Sequence, residues 1–260
     1  MLKKVRIAVI HNYLILLWKM VDMRTIVFTL FFSFICFFSS GQSFQMSENS
    51  IVKDSSGKTY SFETWRNLYW KGHEIRPVDP NNPKTEFLLI KLSDEELEKK
   101  LSGFPKPRES SSFKTGEKIK NFTTSDIEGT NIDLKNLEGK IVLLNFWFVN
   151  CAPCRIEMPD LNDLVDNFKT NKEIVFISIA LDDKKSLGNF LKTSPFEYKI
   201  INDGGNIAAQ YGVGSYPTHV VLNKEGKVFF HTSGLAMNTI YWLKKSIKEL
   251  LSQENKTSSD

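Results

Sequence analysis

Two cysteines separated by two residues, Cys151 and Cys154, are the side chains of this sequence best suited to covalent chemistry. A run of apolar residues over 141–149, interrupted only by Asn145, precedes them, and an amphipathic stretch follows. This pattern predicts a buried strand that leads into a helix, with both thiols at the junction.

The first turn of a helix favours a thiolate over a thiol, because its free N–H groups and the positive end of its dipole stabilise negative charge. Cys151 is therefore the predicted nucleophile, and Cys154, one helical turn further on, can reach back to form a disulfide with it. Pro153 fits the first helical turn, where its missing N–H would have no partner. We expect the pair to cycle between dithiol and disulfide without a further cofactor.

The elements that position this pair are predicted within residues 113–252. Residues 174–181 form a second apolar strand, which a βαβ connection should make parallel to the first strand. Pro159 is expected to kink the helix that carries Cys154. The remaining predicted elements are strands at 119–123, 132–137 (with a helical turn), 199–201, 218–222 and 227–231, helices at 184–192 and 205–211, and a closing helix before a polar tail at 253–260.

Residues 42–112 form a predicted small accessory α+β region. Trp65, Tyr69 and Trp70 could form an aromatic binding surface, although core packing is the favoured interpretation. Ser93 and Glu96 have the spacing of a capping box at the start of a helix. The predicted elements are a hairpin over 51–62, helices over 62–69 and 94–101, extended segments at 75–78 and 87–92, and a proline- and serine-rich linker over 104–112.

Residues 1–41 have the composition of a targeting segment, with two apolar stretches, five basic residues and one acidic residue. The second stretch fits a secretory signal that is cleaved after Gly41, with Met23 as an alternative start. An uncleaved membrane anchor is the alternative. Cys36 is interpreted as an ordinary apolar residue of the signal, with lipid attachment as the less favoured interpretation.

Without residues 1–41 the chain is formally neutral, because 29 of its 34 basic residues and 29 of its 30 acidic residues remain. The composition therefore gives no support to nucleic-acid binding, which needs a basic surface. Cys151 and Cys154 are then the only cysteines. In an exported protein, two cysteines this close in sequence indicate redox exchange rather than a structural crosslink.

The motifs around the cysteines resemble those of the thioredoxin superfamily, and more closely those of its TlpA/ResA-like branch of exported thiol-disulfide oxidoreductases. The resemblance covers about 114–251. It implies an α/β, thioredoxin-like fold with a central mixed sheet of four or five strands flanked by helices. The residues that carry it are Phe146 and Trp147 before Cys-Ala-Pro-Cys, then Arg155, Glu157, Met158 and Pro159, and the downstream Tyr216-Pro217-Thr218.

The resemblance also implies roles for individual residues. Glu157 matches the acid that this branch places beside the disulfide, where a partly buried carboxylate can shuttle a proton; its alternative role is that of a favourable acid in the first helical turn. Pro217 should follow a cis bond and lie opposite the cysteines, so that the Tyr216 backbone can pair with an extended substrate. The implied substrate-binding residues are Trp147, Ala152, Pro153, Tyr216 and Pro217.

Two positions depart from related patterns. Asn145 occupies the strand position where cytoplasmic thioredoxins carry a buried acid, which leaves Glu157 as the expected proton carrier. Asn150 stands where this branch most often has a tryptophan, directly before the first cysteine.

The predicted function is that of an exported disulfide reductase of the periplasm or cell envelope. It would keep protein thiols, such as those of apocytochromes, reduced with electrons from a membrane-bound donor. The alternative is a partner-binding module with a redox-silent cysteine pair. No metal site is predicted, because His219 and His231 lack paired ligand spacing, and a peroxidase is disfavoured because the second thiol is placed to resolve at once.

Overall fold

The structure, a computed structural model, describes residues 46–82 and 84–257, the last four of them by their backbone alone. The predicted signal or anchor at 1–41 lies outside the described residues. Among the described residues, no helix has the length and apolar character needed to cross a membrane.

The described chain divides into two compact units. Among the described residues, the smaller unit contains residues 46–50, 77–82 and 84–86. Its second segment is a loop in which the Val78 N–H donates to the Glu86 carbonyl oxygen at 2.9 Å, and the Asp79 N–H donates to Thr85 Oγ1 at 2.9 Å.

The larger unit, residues 51–76 and 87–257, begins with a four-stranded sheet in the order β2-β1-β4-β3. β1 pairs antiparallel with β2 and parallel with β4, which confirms the predicted hairpin. The strands are β1 (Val52–Lys53), β2 (Thr59–Tyr60), β3 (His73–Pro77) and β4 (Phe87–Lys91).

Two helices accompany this sheet, and both begin where the sequence predicts. Helix α1 (Phe62–Trp70) is capped by the Ser61 side chain. Helix α2 (Asp94–Gly103) starts with the predicted capping box, in which Ser93 and Glu96 each bond to the other's backbone N–H. Trp65 is buried, as favoured, while Tyr69 and Trp70 are partly exposed.

A second sheet of five strands has the order β11-β10-β7-β8-β9. β7, β8 and β9 are parallel, and β10 is antiparallel to both β7 and β11, which confirms the predicted mixed sheet. The strands are β7 (Ile141–Trp147), β8 (Ile174–Ala180), β9 (Lys199–Ile201), β10 (Thr218–Leu222) and β11 (Val228–Ser233); two further strands, β5 (Thr123–Ser125) and β6 (Asn131–Asp133), pair separately.

Four helices flank the five-stranded sheet, and a 3-10 turn (Leu134–Leu137) follows β6. The first of them continues through Pro159, so the proline does not end it. The last continues to Thr257, so the predicted polar tail from 253 is helical over its first residues. The helices are α3 (Ala152–Phe168), α4 (Lys184–Leu191), α5 (Gly205–Gln210) and α6 (Thr239–Thr257).

Strand β7 is buried along its whole length because hydrophobic clusters cover both of its faces. Ile141, Leu143 and Trp147 belong to the cluster that includes residues of α3 and α6. Val142 and Leu144 belong to the opposite cluster. Asn145 therefore lies on the face of β7 that is covered by α3, since alternate strand residues share a face.

The predicted strand at 119–123 is wrong, since regular pairing begins only at Thr123. Ahead of it, Lys118 makes a single bridge to Lys227. The backbone carbonyl oxygens of the next two residues accept hydrogen bonds from side chains and not from a neighbouring strand. Tyr211 Oη donates to the Lys120 oxygen at 2.5 Å, and Gln210 Nε2 donates to the Asn121 oxygen at 3.0 Å.

The segment predicted as a linker is hydrogen-bonded to β11. The Arg108 carbonyl oxygen accepts bonds from Ser233 N at 3.1 Å and from Thr232 Oγ1 at 2.8 Å. The Ser110 N–H donates to Nδ1 of the buried His231 at 3.1 Å. Residues 108–110 are therefore attached to the last strand of the five-stranded sheet.

Candidate active site

The two cysteines form a disulfide at the start of α3, with 5.3 Å between their Cα atoms. Cys151 is the N-cap residue of the helix, and its Sγ accepts a hydrogen bond from the Cys154 N–H at 3.3 Å. Pro153 occupies the first turn, as predicted. A negative charge on the Cys151 sulfur would therefore meet a free helix N–H and the positive end of the helix dipole.

Solvent exposure does not distinguish the two sulfurs in this disulfide form, since Cys151 is 3% exposed and Cys154 is 2% exposed. The N-cap position does distinguish them, because only Cys151 precedes the helix. Of the residues between them, Ala152 is exposed and Pro153 partly exposed, so a partner can approach at this point.

The turn that joins β7 to the disulfide is fixed by contacts with the segment after β8. The Val149 N–H donates to Asp182 Oδ2 at 2.7 Å, and the Leu181 N–H donates to the Trp147 carbonyl oxygen at 3.1 Å. These bonds hold the start of α3 at the carboxyl end of the two central parallel strands.

The Tyr216–Pro217 peptide bond is cis, as the resemblance implies. Thr218 pairs with Phe146, so Pro217 comes next to the end of β7, where the cysteine turn begins. The Tyr216 ring packs edge-on against Phe148 with 5.5 Å between ring centroids. The cis bond therefore lies at the same edge of the sheet as the disulfide.

Trp147 belongs to the core rather than to the predicted substrate-binding surface. It is 1% exposed, packs against Phe190 and Phe196, and donates its indole N–H to Ser178 Oγ at 2.5 Å. Its place as the last residue of a strand covered on both faces explains this burial. Trp147 thus packs in the core at the end of β7, where the cysteine turn begins.

Glu157 is buried at 3% exposure and makes a side-chain contact that the sequence did not indicate. Its Oε1 lies 2.8 Å from Nε2 of His219, which is 0% exposed. Nδ1 of the same ring lies 3.3 Å from Nδ2 of Asn145. The three polar side chains therefore form a buried chain from α3 through β10 to β7.

The sequence predicts no role for His219 at this site. The available signal was that Asn145 and His219 are polar residues inside apolar strands. They are direct partners in the β7–β10 register. Without that register, the two residues cannot be matched from the sequence.

The surroundings of Glu157 alter the pKa values of two further groups. Burial raises the pKa of Asp160 to about 6 from an ordinary 3.8, and the charges of Asp163 and Glu157 add to this effect, while Lys71 opposes it. Burial raises the pKa of Tyr198 well above its ordinary value, and the charge of Glu157 adds to the rise. The protein interior around Asp160 and Tyr198 thus disfavours negative charge.

Across residues 46–82 and 84–257, no three His, Cys, Asp or Glu side chains lie together in a way that could hold a metal ion. The described site contains the two sulfur atoms and, around Glu157, carboxylate, imidazole and amide groups.

Comparison with known proteins identifies the family. A model of the AhpC/TSA family matches residues 115–231. The thiol-disulfide oxidoreductase ResA of Bacillus thuringiensis subsp. konkukian is 37% identical over 121 residues, which cover 46% of this chain and 69% of that protein. ResA of Halalkalibacterium halodurans is 31% identical over 137 residues, which cover 52% of this chain and 78% of that protein. This chain belongs to the thioredoxin-like thiol-disulfide oxidoreductases.

Solved structures agree with this family. A thiol:disulfide interchange protein DsbE from Chlorobium tepidum, itself described as putative, aligns with a TM-score of 0.50 and 27% identity over 54% of this chain and 99% of that one. A protein of Bacteroides thetaiotaomicron, described as a putative protein disulfide isomerase, aligns with a TM-score of 0.52 and 27% identity over 57% of this chain and 96% of that one. These matches confirm the thioredoxin-like fold of this oxidoreductase.

A groove of about 670 Å³ in this oxidoreductase is lined by Ala152, the residue that follows Cys151, and by further residues of α3. One wall comes from α1, which belongs to the accessory region, and the other from α3, the end of α4 and the segment after it. The α1 wall lies outside the residues that the family model matches. Its lining includes Glu63, Arg66, Asn67 and Trp70 on the first wall, and Ala152, Arg155, Ile156, Pro159, Asn162 and Phe190 on the second.

Proposed function

We propose that this chain is an exported thiol-disulfide oxidoreductase that reduces disulfides of other proteins in the cell envelope. The observation that carries the proposal is the Cys151–Cys154 disulfide at the N-terminus of α3, beside the cis Tyr216–Pro217 bond. The redox-active group is this disulfide itself, with no bound cofactor. Export rests on the signal-like composition of residues 1–41.

The reaction begins from the reduced form. The Cys151 thiolate attacks one sulfur of a substrate disulfide, so that a bond forms between Cys151 and that sulfur while the other substrate sulfur leaves as a thiolate. Cys154 then loses its proton and attacks Cys151, and the second substrate sulfur leaves. Two electrons pass from the protein to the substrate, which takes up two protons.

Glu157 is the group that we assign to the proton of Cys154. It lies three residues after Cys154 on the same helix, so the two side chains share a face, and both are buried. Because Cys154 is 2% exposed, the proton of the attacking thiol needs an acceptor close to it inside the protein, and a carboxylate is a suitable acceptor.

The substrate class is a polypeptide that carries a disulfide, apocytochromes included, and the electron donor is a membrane-bound dithiol protein. The groove that includes Ala152 supports a polypeptide substrate, because both of its walls carry aromatic and basic side chains and Ala152 lies between the two cysteines in sequence. Tyr216, which is partly exposed and packs against Phe148 ahead of the cysteines, is a second candidate contact for the substrate.

Cysteine replacement tests the proposal. We expect Cys151→Ser to abolish reduction of a protein disulfide and Cys154→Ser to accumulate a mixed disulfide with the substrate, both detected by mass spectrometry and by insulin reduction. Full activity in both variants would refute the proposal. Thiol titration with and without reductant separates it from the alternative of a binding module, in which the pair would show no redox change.

A further inference from the structure

The carboxylate of Glu157 is bound on one side only. Its Oε1 lies 2.8 Å from His219 Nε2, whereas Oε2 is buried and has no hydrogen-bond partner within the described part of the chain. A buried polar atom without a partner is costly and therefore uncommon in folded proteins. One oxygen of this carboxylate is thus held in place while the other is available for a proton.

The position of the imidazole proton follows from Asn145. The amide nitrogen of Asn145 lies 3.3 Å from His219 Nδ1, and an amide nitrogen can only donate a hydrogen bond. Nδ1 must then accept, so the ring proton lies on Nε2, from which it is donated to Glu157 Oε1. In this arrangement Asn145 selects the tautomer of His219, and His219 stabilises the ionised form of Glu157.

We infer that His219 is a positioning residue for the thiol-disulfide reaction, and that Asn145 fixes the tautomer it needs. The inference rests on the proposed function. His219 keeps its Nε2–H bond to Oε1 throughout, so that Oε2 takes the proton of Cys154. The Cys154 thiolate then bonds to the Cys151 sulfur, and the bond between Cys151 and the substrate sulfur breaks.

The groups that face Glu157 come from several elements. His219 approaches from β10, Tyr198 from the segment before β9, and Asp160 from the next turn of α3. The charge of Glu157 contributes to the raised pKa values of both Tyr198 and Asp160. Tyr198 Oη is itself buried and has no partner among the described residues. Of these groups only His219 donates a hydrogen bond to the carboxylate, so its loss should act on the carboxylate directly.

A matched pair of variants tests this role. The amide of glutamine reaches about as far as imidazole Nε2, whereas that of asparagine ends near Nδ1. We therefore expect His219→Gln to keep the donor to Oε1 and His219→Asn to lose it. Urea denaturation of both variants reports whether either one is generally unfolded.

The reaction of the reduced protein with 5,5'-dithiobis(2-nitrobenzoate) separates the two cysteine steps. The Cys151 thiolate releases one thionitrobenzoate and forms a mixed disulfide, and Cys154 then displaces the second. We expect His219→Asn to slow the second release about tenfold at neutral pH, as for a lost hydrogen bond to a charged group. The pH of its half-maximal rate should move upward, because the ionised carboxylate loses its donor.

The first release should change by less than about twofold in both variants, because it depends on the helix start and not on the carboxylate. His219→Gln should keep the wild-type pH profile. In a Glu157→Gln background, His219→Asn should add no further slowing. An equal effect of the two histidine variants, a wild-type pH profile for His219→Asn, or equal slowing in the Glu157→Gln background would each overturn the inference.

A measurement on the unmodified protein completes the test. Nitrogen-15 NMR of the His219 ring should place the proton on Nε2 in both oxidised and reduced protein, and a proton on Nδ1 would overturn the inference. If no thionitrobenzoate is released from Cys151 at all, the proposed function fails instead. The two failures are therefore distinguishable.

Discussion

Replacement of Asp160 by asparagine should stabilise the protein at neutral pH. The pKa of Asp160 is raised to about 6 from an ordinary 3.8, first by burial and then by the charges of Asp163 and Glu157. Between these two pH values the folded protein holds a proton that the unfolded chain has lost. The free energy of unfolding therefore falls as the pH rises through this window.

The size of the effect follows from the same two values. A difference of about two pH units corresponds to about 3 kcal/mol. Asp160 is partly exposed, so solvent screening reduces the expected penalty to about 1–2 kcal/mol. Because asparagine cannot ionise, the Asp160→Asn variant should exceed the wild type in stability by this amount at pH 7 and by close to nothing at pH 4.

Urea denaturation of the oxidised protein between pH 4 and pH 7 measures this difference. Asp163→Asn is the matched control on the same helix, since Asp163 is exposed and its replacement should change stability by less than about 0.5 kcal/mol. The reasoning is refuted if Asp160→Asn lowers stability at pH 7, or if its gain is the same at pH 4.

The two remaining predictions concern packing near the site. Ser178→Ala should lower the free energy of unfolding by about 1–3 kcal/mol, because it leaves the buried indole N–H of Trp147 without its acceptor; a Trp147→Phe replacement in the same background should then cost less than it does in the wild type, as measured by a double-mutant cycle. Gly204→Ala should destabilise by about 1–3 kcal/mol, because its new Cβ would come within 2.9 Å of the Ala180 carbonyl oxygen in a close-packed interior. Gly205→Ala, where a Cβ meets nothing within 4 Å, should instead leave thermal stability equal or slightly higher.

Local patterns predicted much of this fold. The apolar run of β7, the cysteine pair that follows it and the capping box at Ser93 each depend on neighbours within a few residues, and the structure confirms all three elements. The parallel pairing of β7 with β8 followed from the intervening helix. Such features need no knowledge of the rest of the chain.

The side-chain contacts around Glu157, between residues distant in sequence, were not predicted. Glu157 meets His219 across 62 residues, and His219 meets Asn145 across 74, so these contacts depend on which strand residues are paired. Trp147 was assigned to the substrate surface because the family motif contains it, but the cover on both faces of β7 buries it. The residue pattern within one strand does not reveal which other elements pack on each of its faces, and so it does not show how deeply a side chain is buried.

The attachment of residues 108–118 to β11 decides how far the redox part of the chain can be shortened. β11 is the outermost strand on its side of the five-stranded sheet, and Arg108, Gly116 and Glu117 occupy its outward backbone groups. A fragment that started at the beginning of the family match, residue 115, would lose the Arg108 bonds. The unpaired N–H and C=O groups of an exposed edge strand can pair with strands from other molecules. Truncation at residue 115 would therefore favour self-association. A fragment that begins ahead of Arg108 keeps the hydrogen bonds between Arg108 and β11.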